Sequence, residues 1–305
     1  MERRTTPWRC LAAGATVAVV APAGPADAEL VARIPALIAA QGWQARIYPG
    51  CHAREGFLAG GDARRLADLQ SAFDDDAVAA VWCLRGGYGS ARLLPALNLT
   101  GLCAAPKPLI GYSDITALHL LLDHAGLAAL HAPMPASDLL LPGREADADA
   151  LFTLLHRGLD AGTVWTAPPQ PGALHHSGVA RGRLLGGNLS MLAALAGTPW
   201  QPDTRGRLLF IEEVGEAPYR IDRLLLQLQL AGMLAGVAGV LLGRFSEADD
   251  ASAVLQDQLL ALGVPLRAGW PSGHGTPNRP LPLGVLATLD ADAGTLRFDE
   301  PVMRG

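Results

Sequence analysis

Residues 109–122 read LIGYSDITALHLLL, an apolar pair followed by a glycine, a Tyr-Ser-Asp corner and a helical pattern. This is the order of a β-strand, a sharp turn and an α-helix, the unit from which helix-covered parallel sheets are built. Ser113 stands at the corner. Serine is a favoured N-cap residue, and a serine exposed at such a turn is also the position of a nucleophile. This stretch alone leaves both interpretations open.

The chain before this unit repeats the alternation of short apolar runs and helical patterns. Continuous rather than alternating apolar residues indicate strands that are buried on both faces. The predicted strands are residues 16–21, 45–48, 79–84 and 109–111, and the predicted helices are residues 28–41, 62–73 and 115–129. The N-terminal half is therefore predicted to be an α/β structure with a parallel sheet.

A Pro- and Gly-rich stretch without periodicity, TAPPQPGALHHSG at residues 166–178, is predicted to be a linker. Because 305 residues exceed a typical single domain, we expect two domains, residues 1–165 and residues 179–305. In the second domain, strands are predicted at residues 208–213 and 237–243, with an amphipathic helix at 218–234 between them.

Composition limits the classes of function. A formal net charge of −5 argues against a nucleic-acid partner, which would require clustered Lys and Arg. No run approaches the roughly 20 apolar residues that span a bilayer, so no membrane partner is expected. The four cysteines have no CxxC spacing and no other metal-ligand pattern, and we read them as free thiols of a cytoplasmic protein.

Three unusual loops follow predicted strands: APAGP at 21–25, RGGYGS at 85–90 and the corner at 112–114. In an open α/β sheet, ligands bind outside the carboxyl ends of the strands, so these loops are expected to share one site. Arg92 stands where the dinucleotide motif G-x-G-x-x-G requires its third glycine, and no nucleotide cofactor is predicted. The glycines are compatible with amides presented to an oxyanion or with a tight turn alone.

A nucleophilic Ser113 would need a base and a carboxylate that orients the base. His274 lies between two glycines on an irregular loop, WPSGHGTP at residues 270–277, from which an imidazole can project. An apolar strand ends in the paired carboxylates Glu212 and Glu213. Because side chains alternate across a strand, these two must face opposite ways, and only one can serve a given site.

Together these motifs resemble the LD-carboxypeptidases, peptidase family S66. The motifs that carry the resemblance are GFLAGGDARRLADLQSAF (56–73), RGGYG (85–89), GYSD (111–114), LLGGNLSML (184–192), LFIEEVGEAPYRIDR (209–223) and PSGHG (271–275). They occur in the family's order over nearly the whole chain. The resemblance implies a Rossmann-like N-terminal domain, a smaller mixed α/β C-terminal domain, and in many members a homodimer.

The resemblance also implies an activity and its residues. A member of this family is expected to act in cytoplasmic peptidoglycan recycling, where it removes the terminal D-alanine from murein tetrapeptides. The implied catalytic residues are Ser113, Glu212 and His274, and the implied oxyanion hole is formed by Gly86, Gly87 and Asp114. No metal or other cofactor is implied.

An exopeptidase must also recognise a free carboxylate, and Arg85, at the mouth of the glycine loop, is our candidate for that contact. A structural ion pair is the other interpretation of Arg85. Three further functions stay open from the sequence. One is a microcin-immunity-like amidase that cleaves aminoacyl or peptidyl nucleotides, the second is a non-catalytic ligand-binding module in which Ser113 is only a cap, and the third is a metal-dependent hydrolase.

Overall fold

The chain alternates strands and helices through its first half. The computed structural model describes residues 8–168, 172–247 and 249–304. The strands, in chain order, are β1 (Trp8–Arg9), β2 (Thr16–Val20), β3 (Gln44–Ile47), β4 (Val78–Cys83), β5 (Leu109–Gly111), β6 (Ala129–His131), β7 (Val164–Thr166), β8 (His175–His176), β9 (Val179–Asn188), β10 (Leu208–Val214), β11 (Gly239–Ser246), β12 (Leu266–Arg267), β13 (Leu281–Leu283), β14 (Leu286–Asp290), β15 (Thr295–Phe298) and β16 (Met303–Arg304).

The α-helices of these residues are α1 (Ala28–Ala39), α2 (Asp62–Asp74), α3 (Thr100–Ala104), α4 (Thr116–His124), α5 (Glu145–Arg157), α6 (Leu189–Ala194), α7 (Pro218–Leu230) and α8 (Ser252–Leu260). Shorter helical turns lie at Pro49–His52, Ser90–Ala96, Ser113–Ile115 and Pro135–Leu139. Within the described ranges, no helix combines the length and apolar character that a membrane crossing requires.

The first sheet has six strands in the order β13, β6, β5, β4, β2, β3. All neighbours are parallel except β13, which is antiparallel to β6. The strands predicted from the sequence agree with β2 to β5 within one residue at each end. β5 is buried throughout, as expected for a strand covered on both faces, whereas the edge strand β3 is partly exposed.

The second sheet has eight strands in the order β7, β15, β14, β9, β10, β11, β12, β8. Its centre, from β9 to β12, is parallel, and the outer strands pair antiparallel. The protein is therefore an α/β fold, as expected, with a first sheet that is parallel except for the edge strand β13 and a mixed second sheet.

Two strands join the sheet of the other half of the chain. β7 pairs with β15 in the second sheet, and β13 pairs with β6 at the edge of the first. The predicted division into residues 1–165, 166–178 and 179–305 stays a prediction. The first residue of the predicted linker, Thr166, ends β7, and β8 lies near the linker's other end, while residues 169–171 lie outside the described residues.

Three predicted helices end too late. The helix predicted at 28–41 is α1, which stops at Ala39. The helix predicted at 115–129 is α4, which stops at His124 because Gly126 follows with a φ of 74°. Its start is also one residue later, since a 3₁₀ turn occupies Ser113–Ile115. The helix predicted at 218–234 is α7, which stops at Leu230.

The two sheets meet close to the start of α4. The amide of Asn188, at the end of β9, donates a hydrogen bond to Thr116 Oγ1 at 3.1 Å. Arg207 also forms an ion pair with Asp123 of α4 at 3.1 Å. The contact of Asn188 places the carboxyl end of β9 beside the turn that carries Ser113, together with Glu212 of β10, which pairs with Asn188. The candidate site lies there.

Candidate active site

Ser113 stands between β5 and α4 with an unusual backbone conformation. Its φ is 64°, in the left-handed region that residues with a Cβ atom rarely adopt. No side chain of the described residues caps the 3₁₀ turn or α4. The structure therefore does not use the Ser113 hydroxyl as an N-cap, and strain of this kind is typical of functional turns.

Two side chains from the second half of the chain stand behind this hydroxyl. Nε2 of His274 lies 3.1 Å from Ser113 Oγ, and Nδ1 lies 2.7 Å from Glu212 Oε2. The same carboxylate oxygen accepts a hydrogen bond from the His274 amide at 3.0 Å. Glu212 is fully buried, whereas Ser113 and His274 are partly exposed. The structure thus brings the three predicted residues into one chain of hydrogen bonds that ends at an accessible hydroxyl.

The glycine before His274 makes this close approach possible. Gly273 has a φ of 102°, and a Cβ atom added to it would lie 2.6 Å from Glu212 Oε2. Any larger residue would push the loop away from the buried carboxylate. The GHG sequence therefore allows both the loop conformation and the contact of the imidazole with Glu212.

Burial and Glu212 act on the pKa of His274 in opposite directions. Burial lowers it, but the hydrogen bond that His274 donates to Glu212 and the charges of Glu212, Glu213 and Asp138 raise it, and the net pKa lies above the ordinary value. Such an imidazole can take a proton from the Ser113 hydroxyl and return it to a leaving group. The arrangement is chemically competent for nucleophilic acyl transfer.

Glu213 faces the opposite side of β10, as strand alternation predicts. It accepts hydrogen bonds from Asn188 Nδ2 at 2.7 Å, from the Ser190 amide and Oγ at 2.7 and 2.6 Å, and from the Val214 amide at 2.9 Å. These bonds join the end of β9 and the start of α6 to β10. The hydrogen bonds of Glu213 are therefore structural, and in the described residues none of them involves His274.

The glycine loop after β4 lies directly against Ser113. A Cβ atom added to Gly86 would lie 2.8 Å from Ser113 Cβ and 2.9 Å from its Oγ. Within the described ranges, the amides of Gly86, Gly87 and Asp114 donate no hydrogen bond. Backbone amides left free beside a nucleophile can stabilise an oxyanion.

The side chain of Asp114 joins this loop to the turn. Its Oδ2 accepts a hydrogen bond from the Ser90 amide at 2.8 Å, and its backbone carbonyl accepts one from Ser90 Oγ at 2.5 Å. Asp114 is buried. Only the amide of Asp114 was predicted to act at the site, and its carboxylate holds the glycine loop in register with Ser113.

A cleft of about 1010 Å³ opens beside Gly87. It is lined by the carboxyl-end loops of the first sheet and by three arginines, Arg54, Arg85 and Arg92. Cationic lining of this kind suits a ligand with carboxylate groups.

Arg85 differs from the other two arginines of the cleft. Arg54 and Arg92 form ion pairs with Asp27 and Asp62 at 3.8 and 2.7 Å. Arg85 donates from Nη1 to the Pro25 carbonyl at 3.0 Å, and its buried Nε has no hydrogen-bond partner in the described part of the chain. The structural ion pair considered for Arg85 is not present among the described residues, and its charge is available to a ligand.

No sequence pattern indicates the residues that support the loop at 271–279, here called the His274 loop. Three successive carbonyls accept side-chain hydrogen bonds: that of His274 from Ser246 Oγ at 2.8 Å, that of Gly275 from Arg144 Nη1 at 2.6 Å, and that of Thr276 from Arg244 Nη2 at 2.6 Å. The donors are single polar residues far away in sequence, so no local motif marks them.

His131, at the end of β6, is not part of the hydrogen-bonded chain. It is fully buried, both ring nitrogens lack partners among the described residues, and burial lowers its pKa well below the ordinary value. Its ring packs 5.0 Å from Phe210 and 5.6 Å from Tyr112. His131 is therefore a neutral packing residue. No group of three or more His, Cys, Asp or Glu side chains in the described ranges is arranged to hold a metal.

Comparison with known proteins gives two family matches. The N-terminal domain of the LD-carboxypeptidases matches residues 17–132, and the C-terminal domain of the same family matches residues 181–289. The first range contains Ser113, and the second contains Glu212 and His274.

Relatives of similar length agree with these matches. A putative carboxypeptidase of Streptomyces coelicolor is 42% identical over 96% of this chain and 96% of its own. The murein tetrapeptide carboxypeptidase of Pseudomonas aeruginosa is 36% identical over 90% of this chain and 93% of its own.

Solved structures share the fold. The muramoyltetrapeptide carboxypeptidase from Oxalobacter formigenes superposes with a TM-score of 0.85 at 30% identity, over 95% of this chain and 100% of its own. MccF in complex with glutamyl sulfamoyl guanosine superposes with a TM-score of 0.89 at 23% identity, over 97% of this chain and 99% of its own. With both domains matched in order and relatives aligned over nearly the full length, this chain belongs to the LD-carboxypeptidases, serine peptidase family S66.

Proposed function

We propose that this protein is a serine LD-carboxypeptidase that removes the terminal D-alanine from murein tetrapeptides. The observation that carries the proposal is the hydrogen-bonded chain from Ser113 through His274 to Glu212, with distances of 3.1 and 2.7 Å. The names of the relatives in Pseudomonas and Oxalobacter support the choice of substrate.

Ser113, His274 and Glu212 would act together in acylation and deacylation. Ser113 Oγ attacks the carbonyl carbon before D-alanine, and its proton passes to His274 Nε2. His274 then protonates the leaving amine as the carbon–nitrogen bond breaks, which leaves an acyl-enzyme. Water attacks the acyl-enzyme, gives its proton to His274 and releases the tripeptide, after which Ser113 regains its proton. Glu212 holds the imidazole in place and stabilises the imidazolium.

The free amides of Gly86, Gly87 and Asp114 would hold the oxyanion during both steps. The proximity of Gly86 to Ser113 Oγ supports this assignment. A single oxyanion donor is worth about 3–4 kcal/mol in enzymes where one has been removed.

Mass spectrometry of a tetrapeptide digest tests the proposed function. We expect L-Ala-γ-D-Glu-diaminopimelate-D-Ala to lose one alanine, while the same peptide with a C-terminal amide stays intact because its free carboxylate is missing. A digest in which both peptides stay intact, or in which an internal bond is cut, would contradict the proposal.

Arg85 is proposed to bind the substrate carboxylate. We expect Arg85→Ala to raise KM about 10- to 100-fold with little change in kcat, since a hydrogen bond to a charged group is lost. Arg92→Ala is the matched control, because Arg92 lines the same cleft but is paired with Asp62. Equal KM values for the two variants in steady-state assays would remove Arg85 from substrate recognition.

The pH profile should report the raised pKa of His274. His274 must be neutral to act as the base, and it becomes protonated as the pH falls through its pKa. We therefore expect kcat/KM to decline on the acid side with a midpoint above about 6.5, the ordinary histidine value. In Glu212→Gln the midpoint should move to lower pH, because the contacts that raise the pKa are lost. A wild-type midpoint below the ordinary value would speak against His274 as the base.

A second candidate function is the cleavage of aminoacyl or peptidyl nucleotides. The aromatic side chains Phe57 and Tyr88 favour it: both line the cleft, they are 65% and 53% exposed, and their rings pack at 5.5 Å. They offer a surface on which a base can stack. Trp82, Trp165 and Trp270 are buried and do not offer one. Faster hydrolysis of an aminoacyl sulfamoyl adenosine than of the tetrapeptide would favour this function.

The family resemblance is also our basis for proposing that the enzyme works in cytoplasmic peptidoglycan recycling and as a homodimer. Light scattering tests the oligomer: twice the mass of one chain is expected, and the mass of a single chain would contradict it.

Activity that is unchanged by a chelator would argue against the metal-dependent alternative.

A further inference from the structure

Both halves of the chain form hydrogen bonds with the His274 loop. The bonds from the first half are formed by two residues at the start of one helix. Arg144 Nη1 donates to the Gly275 carbonyl at 2.6 Å, and the Asn278 amide donates to Asp147 Oδ1 at 2.7 Å. In each pair the partners are 131 positions apart in sequence. Arg144 and Asp147 lie at the start of α5, and we call this pair the α5 clasp.

The two residues of the α5 clasp also bind each other. Arg144 Nη1 also donates to Asp147 Oδ2 at 3.0 Å, and the Asp147 side chain is fully buried. Hydrogen bonds between charged groups in such a setting are strong, and leaving one partner unpaired is costly.

The α5 clasp also reaches the residue beside the nucleophile. Arg144 Nη2 lies 3.8 Å from Asp138 Oδ1, which accepts a hydrogen bond from the Tyr112 hydroxyl at 2.9 Å. The Tyr112 ring packs 4.8 Å from the imidazole of His274. One side-chain network therefore contacts both the loop of the base and the turn of the nucleophile.

The two halves are joined at other places too. β13 pairs with β6, and the Asn188 amide binds Thr116 Oγ1 at 3.1 Å. Loss of the α5 clasp would leave these contacts in place. It would remove only the hydrogen bonds that connect the first half of the chain to the residues on either side of His274.

We propose that Arg144 and Asp147 are positioning residues that fix the His274 imidazole relative to the Ser113 hydroxyl. This inference rests on the proposed serine hydrolase function. Neither residue lines the cleft beside Gly87, so the α5 clasp should affect the chemical step and leave substrate binding alone. A displacement of about 1 Å in such a group lowers the rate about 100-fold.

The test compares Arg144→Ala with Arg157→Ala, a change at an exposed arginine in the last turn of the same helix. Steady-state kinetics on the tetrapeptide are normalised to active sites, which are counted by complete labelling with a fluorophosphonate. We expect kcat per active site to fall about 100-fold in Arg144→Ala, with KM unchanged, and both constants to stay at the wild-type level in Arg157→Ala.

If Arg144→Ala does not fold, Arg144→Lys provides the same test, because lysine keeps the charge but lacks the planar guanidinium that reaches the Gly275 carbonyl, Asp147 and Asp138. We expect it to lie between the wild type and Arg144→Ala in kcat. The inference is overturned if a folded Arg144 variant matches Arg157→Ala in kcat, or if its loss is entirely in KM. Failure of the proposed function itself would show separately, as a wild-type enzyme that neither cuts the tetrapeptide nor labels.

Discussion

Ser113→Ala should lower kcat for tetrapeptide cleavage about 10⁶-fold, the scale of loss when a serine nucleophile is removed from a working triad. The hydroxyl that donates its hydrogen bond to His274 Nε2 at 3.1 Å disappears, and no other group takes its place in the chain to Glu212. Any residual rate would come from the oxyanion amides and from substrate binding alone. Discontinuous mass-spectrometric assays at high enzyme concentration can measure a loss of this size.

Ser137→Ala is the control for this variant, since Ser137 lines the cleft but its Oγ donates to Asp138 at 2.9 Å. We expect it to retain most of the activity. Ser113→Ala should also unfold at the wild-type temperature, because the Ser113 hydroxyl caps no helix. If kcat of Ser113→Ala lies within tenfold of kcat of Ser137→Ala, Ser113 is not the nucleophile.

Glu212→Gln should lower kcat about 10⁴-fold, as the loss of the carboxylate does in a serine triad. An amide in this position removes the charge that stabilises the imidazolium and favours the wrong tautomer of His274. The effect should be large because Glu212 is fully buried and its Oε2 serves both Nδ1 and the backbone amide of His274. Steady-state kinetics at the pH optimum of each enzyme measure it.

Glu213→Gln is the matched comparison, one residue along the same strand. Glu213 accepts its hydrogen bonds from Asn188, Ser190 and Val214, and it has none to His274. We expect the free energy of unfolding to fall by about 1–3 kcal/mol, since buried donors lose an acceptor, while folded enzyme keeps most of its kcat. If Glu213→Gln removes activity and Glu212→Gln does not, the assignment of the two carboxylates is wrong.

Local pattern was enough to predict four of the six strands of the first sheet. Continuous apolar runs marked β2, β4 and β5, because strands covered on both faces need apolar side chains on each side. The exchange of β7 and β13 between the sheets could not be predicted, since it depends on pairing between segments far apart in sequence. Helix ends were also less certain, because a glycine such as Gly126 stops a helix that the apolar pattern would continue.

The residues of the candidate site likewise fall into those that a local sequence pattern marks and those that only the fold brings together. Ser113, Glu212 and His274 stand in short, unusual stretches, which made them visible in the sequence, and the resemblance to a family assigned their roles. Arg144 and Asp147 stand in an ordinary helix start, and only the fold brings them to the His274 loop. The carboxylate of Asp114 was likewise invisible, since its partner Ser90 comes from another loop.

The central claim is that Ser113 Oγ is a nucleophile activated by His274. Reaction with a fluorophosphonate, followed by peptide mapping, measures this directly. We predict one adduct per chain, located on Ser113, and a much slower reaction in His274→Ala. An unmodified wild-type protein, or an adduct on another residue with Ser113 intact, would contradict the claim.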